Sequence, residues 1–333
     1  NEQQPMKSLQ LGILSVSRFF QTKIAIPVPK SPLIDIAAIA SRSADKAEAA
    51  ARQYNIPQAY GSYEALFADD ELDAVYIPLP NHLHAEYLRK AADAGKHIIC
   101  EKPIALTAQE AKESIAYAEN KGVKVMEAFM YRFHPQWQHA RELILMKEIG
   151  KVHSIQTFFS YNNTDPSNIR NRQDAGGGAL LDIGCYAVSV SRFLTGMEPR
   201  RVVSILQEDT NFGTDVLLSG LLDFDGPQAT FTIGTQTFPY QRVSAIGSSG
   251  IISIEIPFNT PSDVETRIQV TNSVGSRDVL FPPEDQYILE FEAFARAILE
   301  DQPVPTLPED AIHNMKVLDA LRLSAEKGGW ITV

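Results

Sequence analysis

The chain has 333 residues, with 30 Lys and Arg against 41 Asp and Glu, a formal net charge of −11, and 44% hydrophobic against 21% charged residues. That length exceeds a single core of roughly 100–200 residues, so two domains are expected, and the ordinary balance of apolar and charged residues excludes a long disordered chain. The acidic balance argues against a nucleic-acid partner, which needs clustered positive charge, but a phosphate-bearing cofactor needs only a few local cations and helix N-termini.

From Leu9 to about Phe129 short apolar runs alternate with amphipathic segments. Leu9–Leu14 reads as a strand followed by a polar turn at Ser15–Arg18, and Leu33–Ala40 as a second strand. The Ala-rich segment Ser43–Tyr54 reads as a helix. Ala74–Leu79 is a third predicted strand, and Asn81 is placed to cap a helix His82–Ala94 that Gly95 ends. His97–Cys100 follows as a strand. Thr107 and Glu110 have the spacing of a capping box for a helix through Asn120, and Val123–Glu127 gives a fifth strand. Strands separated by helices of about a dozen residues imply right-handed βαβ units, hence a doubly wound parallel sheet binding ligands beyond the carboxyl ends of its strands.

The second half changes character. A predicted helix Pro135–Glu148 stops at Gly150, a long strand covers Val152–Tyr161, and the glycines Gly176–Gly178 precede a helix Ala179–Leu194 closed by Gly196. Strand-like runs then follow one another: Arg201–Gln207, Val216–Phe224, Ala229–Phe238, Arg242–Ile246, Ile251–Ile256, Thr266–Thr271 and Asp278–Phe281. Helices over Asp285–Leu299 and Glu309–Lys327 finish the chain. Strands without intervening helices imply an antiparallel or mixed sheet. The expected architecture is α/β, an N-terminal Rossmann domain over residues 8–128, followed by an α+β domain over 129–333 with a large, mainly antiparallel open sheet for catalysis and oligomerisation.

Two cysteines, Cys100 and Cys185, make no disulfide framework and fit a reducing compartment. No apolar run reaches the length of about 18 residues that a membrane span needs. Asn1–Ser8 is polar, without the apolar core of a secretory leader, and position 1 is not methionine. A cytoplasmic location and no membrane partner are therefore expected, while position 1 leaves open whether the native N-terminus was trimmed. The seven histidines show no H-x-x-x-H or H-E-x-x-H spacing, so no metal is expected.

A dinucleotide fingerprint would place glycines where the first strand turns into the first helix. This chain reads Gly12-Ile13-Leu14-Ser15-Val16-Ser17-Arg18-Phe19-Phe20, with serines at both early glycine positions and Phe20 at the third. An ordinary strand-to-helix turn would read the same, although serine is small and its hydroxyl can donate to phosphate. The end of the second strand says more. NAD enzymes carry an acidic residue there for the ribose 2′-hydroxyl. Here the chain reads Ala40-Ser41-Arg42-Ser43, with Lys46 one turn on, and serine, arginine and lysine attract a 2′-phosphate that a carboxylate would repel. NADP is therefore favoured over NAD, although a solvated arginine at a strand end is common.

The fourth strand ends in Glu101-Lys102-Pro103, a charged pair at the carboxyl edge of a buried strand. Buried charges are costly unless paired or functional, which marks this pair for chemistry, while strand ends also carry charges for structural reasons. The triplet lies downstream of Leu79-Pro80-Asn81-His82-Leu83-His84 and upstream of Gly176-Gly177-Gly178-Ala179-Leu180-Leu181-Asp182-Ile183-Gly184-Cys185-Tyr186. In that order and spacing these motifs resemble, over essentially the whole chain, the glucose-fructose oxidoreductase, inositol dehydrogenase and rhizopine-catabolism (Gfo/Idh/MocA) family. The segment Met126–Pro135 resembles the branch holding dimeric dihydrodiol dehydrogenases, NADP-dependent D-xylose dehydrogenases and some sugar ketoreductases.

The resemblance implies that Lys102 is the catalytic lysine, that Asp182 and Tyr186 are the substrate-site pair, and that Asn81 and His84 lie in the loop beside the nicotinamide. Ser15 and Ser17 replace family glycines, and Phe20 is bulkier than the usual alanine. The expected nucleotide set is Ser15, Ser17, Arg18, Phe19, Ser41, Arg42, Lys46, Leu79, Pro80, Asn81, His84, Glu101, Lys102 and Arg132. Asp182 and Tyr186, four apart, are expected on one helix face. Tyr186 suits general acid–base chemistry if a cation lowers its phenol from its ordinary pKa of about 10, and Lys102 suits that role or donation to a developing oxyanion. Arg132, Tyr161, Arg170 and Arg172 are candidates for lining a pocket for a hydroxylated or anionic substrate. His134 reads as structural or at the rim, and the cysteines as packing residues.

The expected function is NADP-dependent hydride transfer on a sugar, polyol or related diol. Reduction of a keto-sugar or dicarbonyl and a non-catalytic NADP-binding regulator are the alternatives; the presence of Lys102 and Tyr186 speaks against the regulator. The strand-rich half leaves one sheet face to be covered, so a partner surface is expected there, and the resemblance implies a homodimer or homotetramer through that sheet.

Overall fold

The computed structural model describes residues 7–333, so the reading of Asn1–Ser8 lies almost wholly outside the described residues. The chain forms two compact units. One holds residues 7–105 together with Gln109–Met130 and Tyr287–Ile312; the other holds Leu106–Ala108, Tyr131–Gln286 and His313–Val333. Thus the penultimate helix, Gln286–Leu299, gives all but its first residue to the nucleotide unit. Among the described residues no helix is long and apolar enough to cross a membrane.

The first unit is built on β1 (Leu9–Leu14), β2 (Ile34–Ala40), β3 (Gln58–Tyr60), β4 (Ala74–Ile77), β5 (His97–Glu101) and β6 (Val125–Ala128), in the order β3-β2-β1-β4-β5-β6. Every neighbouring pair is parallel. Central strands covered on both faces need unbroken apolar runs, and β4 and β6 are buried at every position. The crossover helices are Ala44–Tyr54, His84–Asp93 and Ala108–Asn120. Their boundaries follow the residues expected to punctuate them. Ser43 accepts from Lys46 N, Gly95 takes φ +70°, and the third begins directly after Thr107. Strand order reverses between β1 and β4, and a doubly wound sheet opens its ligand crevice at the carboxyl ends of such a pair.

In the second unit β7 (Val152–Asn162), β8 (Arg201–Glu208), β9 (Asp215–Asp223), β10 (Gln228–Gly234), β11 (Gln236–Gly247), β12 (Gly250–Ile254), β13 (Thr266–Asn272), β14 (Gly275–Phe281) and β15 (Ile331–Thr332) form one sheet. Its order is β14-β13-β12-β11-β7-β10-β9-β8-β15. All pairs are antiparallel except β7 with β10. The mixed, mainly antiparallel sheet is as expected. Val202, Leu218, Leu222, Ala229, Phe231, Ile233 and Val243 turn one face into the core, against which the helix Cys185–Thr195 packs through β7 and β10.

Several elements depart from expectation for local reasons. The run Ala229–Phe238 is broken at Thr235, where β10 ends and the chain turns into β11. Asn81 opens a 3₁₀ turn, Asn81–Leu83, rather than capping the α-helix, which starts at His84 without a side-chain cap. The helix after Gly178 opens with a π turn, Leu180–Gly184, before becoming α-helical at Cys185. The edge strands β3 and β15 and the five-residue helix Tyr63–Phe67 are too short to leave a period in the sequence.

Candidate active site

In the nucleotide unit the residues expected to hold the cofactor gather at one edge, because each follows a strand of the same parallel sheet. Ser15–Phe19 follow β1, Ser41 and Arg42 follow β2, Leu79–Asn81 follow β4, and Glu101 ends β5 with Lys102 next. Ser15 keeps the backbone shape of the glycine it replaces. Its φ is +96°, a region L-residues avoid, and its N–H donates to Ala40 O at 2.9 Å. Ser17 Oγ accepts from Phe20 N at 3.1 Å, closing the turn. Phe20 is fully buried, edge-on to Tyr54, and starts a widened π turn rather than a regular first helix; Phe19 stacks edge-to-face on Tyr287. At the end of β2, Ser41 is buried and its Oγ accepts from Ser43 N, while Arg42 and Lys46 are exposed. A positive-φ turn at β1 and two solvent-facing cations after β2 fit a dinucleotide carrying a 2′-phosphate.

His84 is enclosed beside the Leu79–Asn81 loop. Its ring is fully buried, with Nδ1 2.6 Å from Pro103 O and Nε2 2.7 Å from Leu79 O. Burial lowers its pKa. It therefore ties the Leu79–Asn81 loop to the segment that carries Lys102, instead of presenting an imidazole at the loop surface. Below Lys102, Tyr76 Oη donates to Glu101 Oε1 at 2.7 Å. Glu290 stands close to that pair, fully buried, with neither carboxyl oxygen hydrogen-bonded; burial, then the Glu101 charge, raises its pKa well above the carboxylate range. Sequence reasoning missed Tyr76 and Glu290, because nothing in the chain signals that residues 76, 101 and 290 meet.

Arg132 comes four residues after the end of β6. It belongs to the second unit, where its Nη2 donates to Ser189 Oγ at 3.0 Å and its Nε to Tyr131 Oη at 3.2 Å, with the guanidinium carbon 5.5 Å from the Phe193 ring centre. Those bonds tie it to Ser189 of the helix Cys185–Thr195 and to its neighbour Tyr131.

Tyr186 and Asp182 lie in that second unit. The Tyr186 ring is walled by aromatic side chains, with centroids 4.9 Å from Phe258, 5.6 Å from Phe159 and 6.2 Å from Tyr131. The segment bearing Phe258 is pinned by Gln136, Trp137 and Gln286, which donate to the carbonyls of Ile256, Pro257 and Phe258. Asp182 sits in the π turn, and its carboxylate accepts from Tyr161 Oη at 2.5 Å and from Arg170 Nε, 3.3 Å from one oxygen and 3.2 Å from the other. The π turn replaces the regular i, i+4 relation expected of Asp182 and Tyr186, and such turns recur at functional sites. Gly184 permits it: a Cβ there would lie 2.8 Å from Ile233 Cδ1. Burial and the Asp182 charge push the Tyr161 phenol far up, so it stays a donor, while Arg172 is spent on exposed Asp174 at 2.6 Å.

A parallel sheet whose strand order reverses between β1 and β4, with a lysine directly after β5, has the layout of a nicotinamide-dependent oxidoreductase. The sequence matches the oxidoreductase family with an NAD-binding Rossmann fold over residues 10–129, and the GFO/IDH/MocA C-terminal domain over residues 137–253. It is 40% identical to the D-xylose 1-dehydrogenase (NADP(+)) 2 of Haloferax volcanii, covering 96% of this chain and 98% of that protein. It is 33% identical to the trans-1,2-dihydrobenzene-1,2-diol dehydrogenase of Xenopus laevis, covering 79% and 81%. The structure resembles KijD10, a 3-ketoreductase from Actinomadura kijaniata solved with NADP and TDP-benzene, with TM-score 0.90, 28% identity and coverage of 96% and 98%. The chain belongs to the Gfo/Idh/MocA oxidoreductase family.

Proposed function

We propose that the protein is an NADP-dependent dehydrogenase or reductase acting on a hydroxyl or carbonyl carbon of a sugar, polyol or related diol. The observation that carries this reading is Lys102 placed directly after β5, at the same carboxyl edge as the Ser15, Ser41–Arg42 and Leu79–Asn81 loops. Ser15, Ser17, Arg18 and Phe19 hold the pyrophosphate side of NADP. Ser41, Arg42 and Lys46 hold its 2′-phosphate, and Leu79, Pro80, Asn81 and Glu101 hold the ribose and nicotinamide end. His84 fixes the loop that they occupy.

When bound, the nicotinamide supplies or accepts the hydride. The protein handles the proton. Tyr186 Oη takes the proton of the substrate hydroxyl in oxidation and returns it in reduction. Lys102 donates to the substrate oxygen as charge develops there. Asp182 accepts a hydrogen bond from a second substrate hydroxyl, and Phe258, Phe159 and Tyr131 keep water from the Tyr186 ring. Lys102→Ala and Tyr186→Phe are expected to retain NADPH binding, by fluorescence titration, and to lose turnover about 10²–10⁴-fold. Full turnover in either variant removes that residue from the reaction. NADPH absorbance followed with aldoses, inositols, keto-sugars and dihydrodiols identifies the substrate class. Reduction of a keto-sugar is the second reading, favoured by the likeness to the 3-ketoreductase.

A homodimer or homotetramer through the second-unit sheet is part of the proposal. The face opposite the core carries a hollow of about 610 Å³ lined by Phe158, Val203, Ile205, Leu221, Tyr240 and Arg242. Ile205 is 75% exposed and Tyr240 50%. Broad apolar exposure of this kind on a sheet face calls for a covering surface. Sedimentation at micromolar concentration is expected to show an oligomer that Ile205→Lys disrupts, and a monomeric native protein would overturn this part. The buried free thiols of Cys100 and Cys185 support a cytoplasmic address.

A further inference from the structure

The family motif Gly176-Gly177-Gly178 has an internal use in this chain. The segment before it forms a 3₁₀ turn, Ile169–Asn171, opened by Asn168, whose side chain accepts from Arg170 N. The backbone of that turn then lies directly on the glycines: Gly178 N donates to Arg170 O and Gly177 N to Arg172 O, both at 2.9 Å. A Cβ on Gly177 would stand 2.5 Å from Arg170 O, and one on Gly178 would stand 2.0 Å from Asp215 Oδ1, whose carboxylate accepts from Leu180 N at 2.6 Å. A side chain at position 177 would push the turn away, and one at position 178 would displace the Asp215 carboxylate. With glycines there, Arg170 is held at its backbone from both sides, and its guanidinium reaches Asp182.

We propose that Arg170 is a positioning residue for proton transfer: set in place by the glycine run, it offsets the charge of Asp182 so that the Tyr186 phenol can give up its proton. This rests on the reading of Tyr186 as the acid–base group. Asp182 is nearly buried, with its side chain 11% exposed, and it stands four residues before Tyr186, in the π turn that leads into the helix bearing that tyrosine. A lone carboxylate there would oppose a phenolate, because like charges disfavour each other's ionised forms. Arg170 balances it at 3.2 Å, and its charge is felt by Tyr161 and Tyr186 as well.

Several groups near Asp182 and Tyr186 have uses of their own. Tyr161, from β7, is a neutral donor to Asp182. Asp215, from β9, is turned to the helix N-terminus through Leu180 N. The Tyr131 hydroxyl is bonded to Ser189 and to Arg132, whose charge lies behind that ring. Phe159 and Phe258 carry no charge. In the proposed reaction Lys102 supplies a second cation.

The test is the pH dependence of kcat for alcohol oxidation in the intact enzyme with NADP. Native enzyme is expected to show one limb rising with pH that Tyr186→Phe abolishes. Arg170→Met should move that limb upward by about one pH unit, lowering neutral-pH turnover about tenfold, in keeping with the loss of an opposite charge. Arg170→Lys should leave the limb near its native position. The pair Arg170→Met with Asp182→Asn removes both charges together, so it folds even where the single variant does not, and its limb should return to the native position whatever its turnover. An unmoved limb in Arg170→Met, or a pair variant whose limb stays displaced, overturns the Arg170 proposal and leaves Tyr186 in its role. A limb that survives Tyr186→Phe instead overturns the Tyr186 reading on which it rests.

Discussion

Tyr76 donates a 2.7 Å hydrogen bond to Glu101, the residue immediately before Lys102, and both belong to one sheet edge. Burial, then Glu101, keeps the Tyr76 phenol protonated, so it is a fixed donor. Tyr76→Phe leaves Glu101 without that donor and should cost about 1–2 kcal/mol in urea unfolding, with a fall in kcat from a looser Lys102 segment. An unchanged midpoint would show that the bond contributes nothing.

Glu290 is expected to be uncharged in the folded enzyme. An acid whose folded pKa is raised binds its proton more tightly folded than unfolded, so its contribution is complete below the unfolded pKa of about 4.3 and is lost as pH rises above it. Glu290→Gln should therefore gain stability relative to native enzyme between pH 5 and pH 8, read as a narrowing or reversal of the difference in denaturant midpoint. A constant difference across that range counts against a buried neutral carboxyl.

His134 gives the opposite slope. Its Nδ1 accepts from Gln136 N at the head of the helix Pro135–Leu145, its Nε2 is buried without a partner, and burial lowers its pKa to about 4. A base depressed in the folded state binds more protons when unfolded, so stability should fall as pH drops below about 6.5, by on the order of 2 kcal/mol near pH 4. His134→Asn keeps an N-capping acceptor and should flatten that slope. A native slope in the Asn variant would assign the effect elsewhere.

Ser15 holds a glycine conformation with a serine side chain at φ +96°. Ser15→Gly should relieve strain of about 1 kcal/mol and raise the unfolding midpoint. NADPH affinity should change little, because the turn is already shaped. Ser15→Val should lose both stability and affinity, and equal stability of the three proteins would remove the strain argument.

Arg42 is exposed after β2, in the position expected to meet the 2′-phosphate. Arg42→Ala should weaken NADPH binding at least tenfold, the scale of one lost charge-assisted bond, while NADH binding stays close to native. Parallel loss of both cofactors would place Arg42 elsewhere on the nucleotide.

The chain by itself determined the two sheet architectures and the order of most elements, because β- and α-periodicity and the stops at Ser43, Gly95, Gly150 and Gly196 act within a few residues. It also determined the motifs around Lys102, Asp182 and Tyr186. Tertiary structure decided how those motifs are used. Arg132 went to Ser189 because the helix Cys185–Thr195 offers its hydroxyl, and His84 was drawn between two carbonyls far apart in sequence. The glycine run became a bed for the Arg170 backbone, and Glu290 reached Glu101 across most of the chain. Hydrogen bonds and burial depend on distances in space, and only the folded backbone sets those distances between residues remote in sequence.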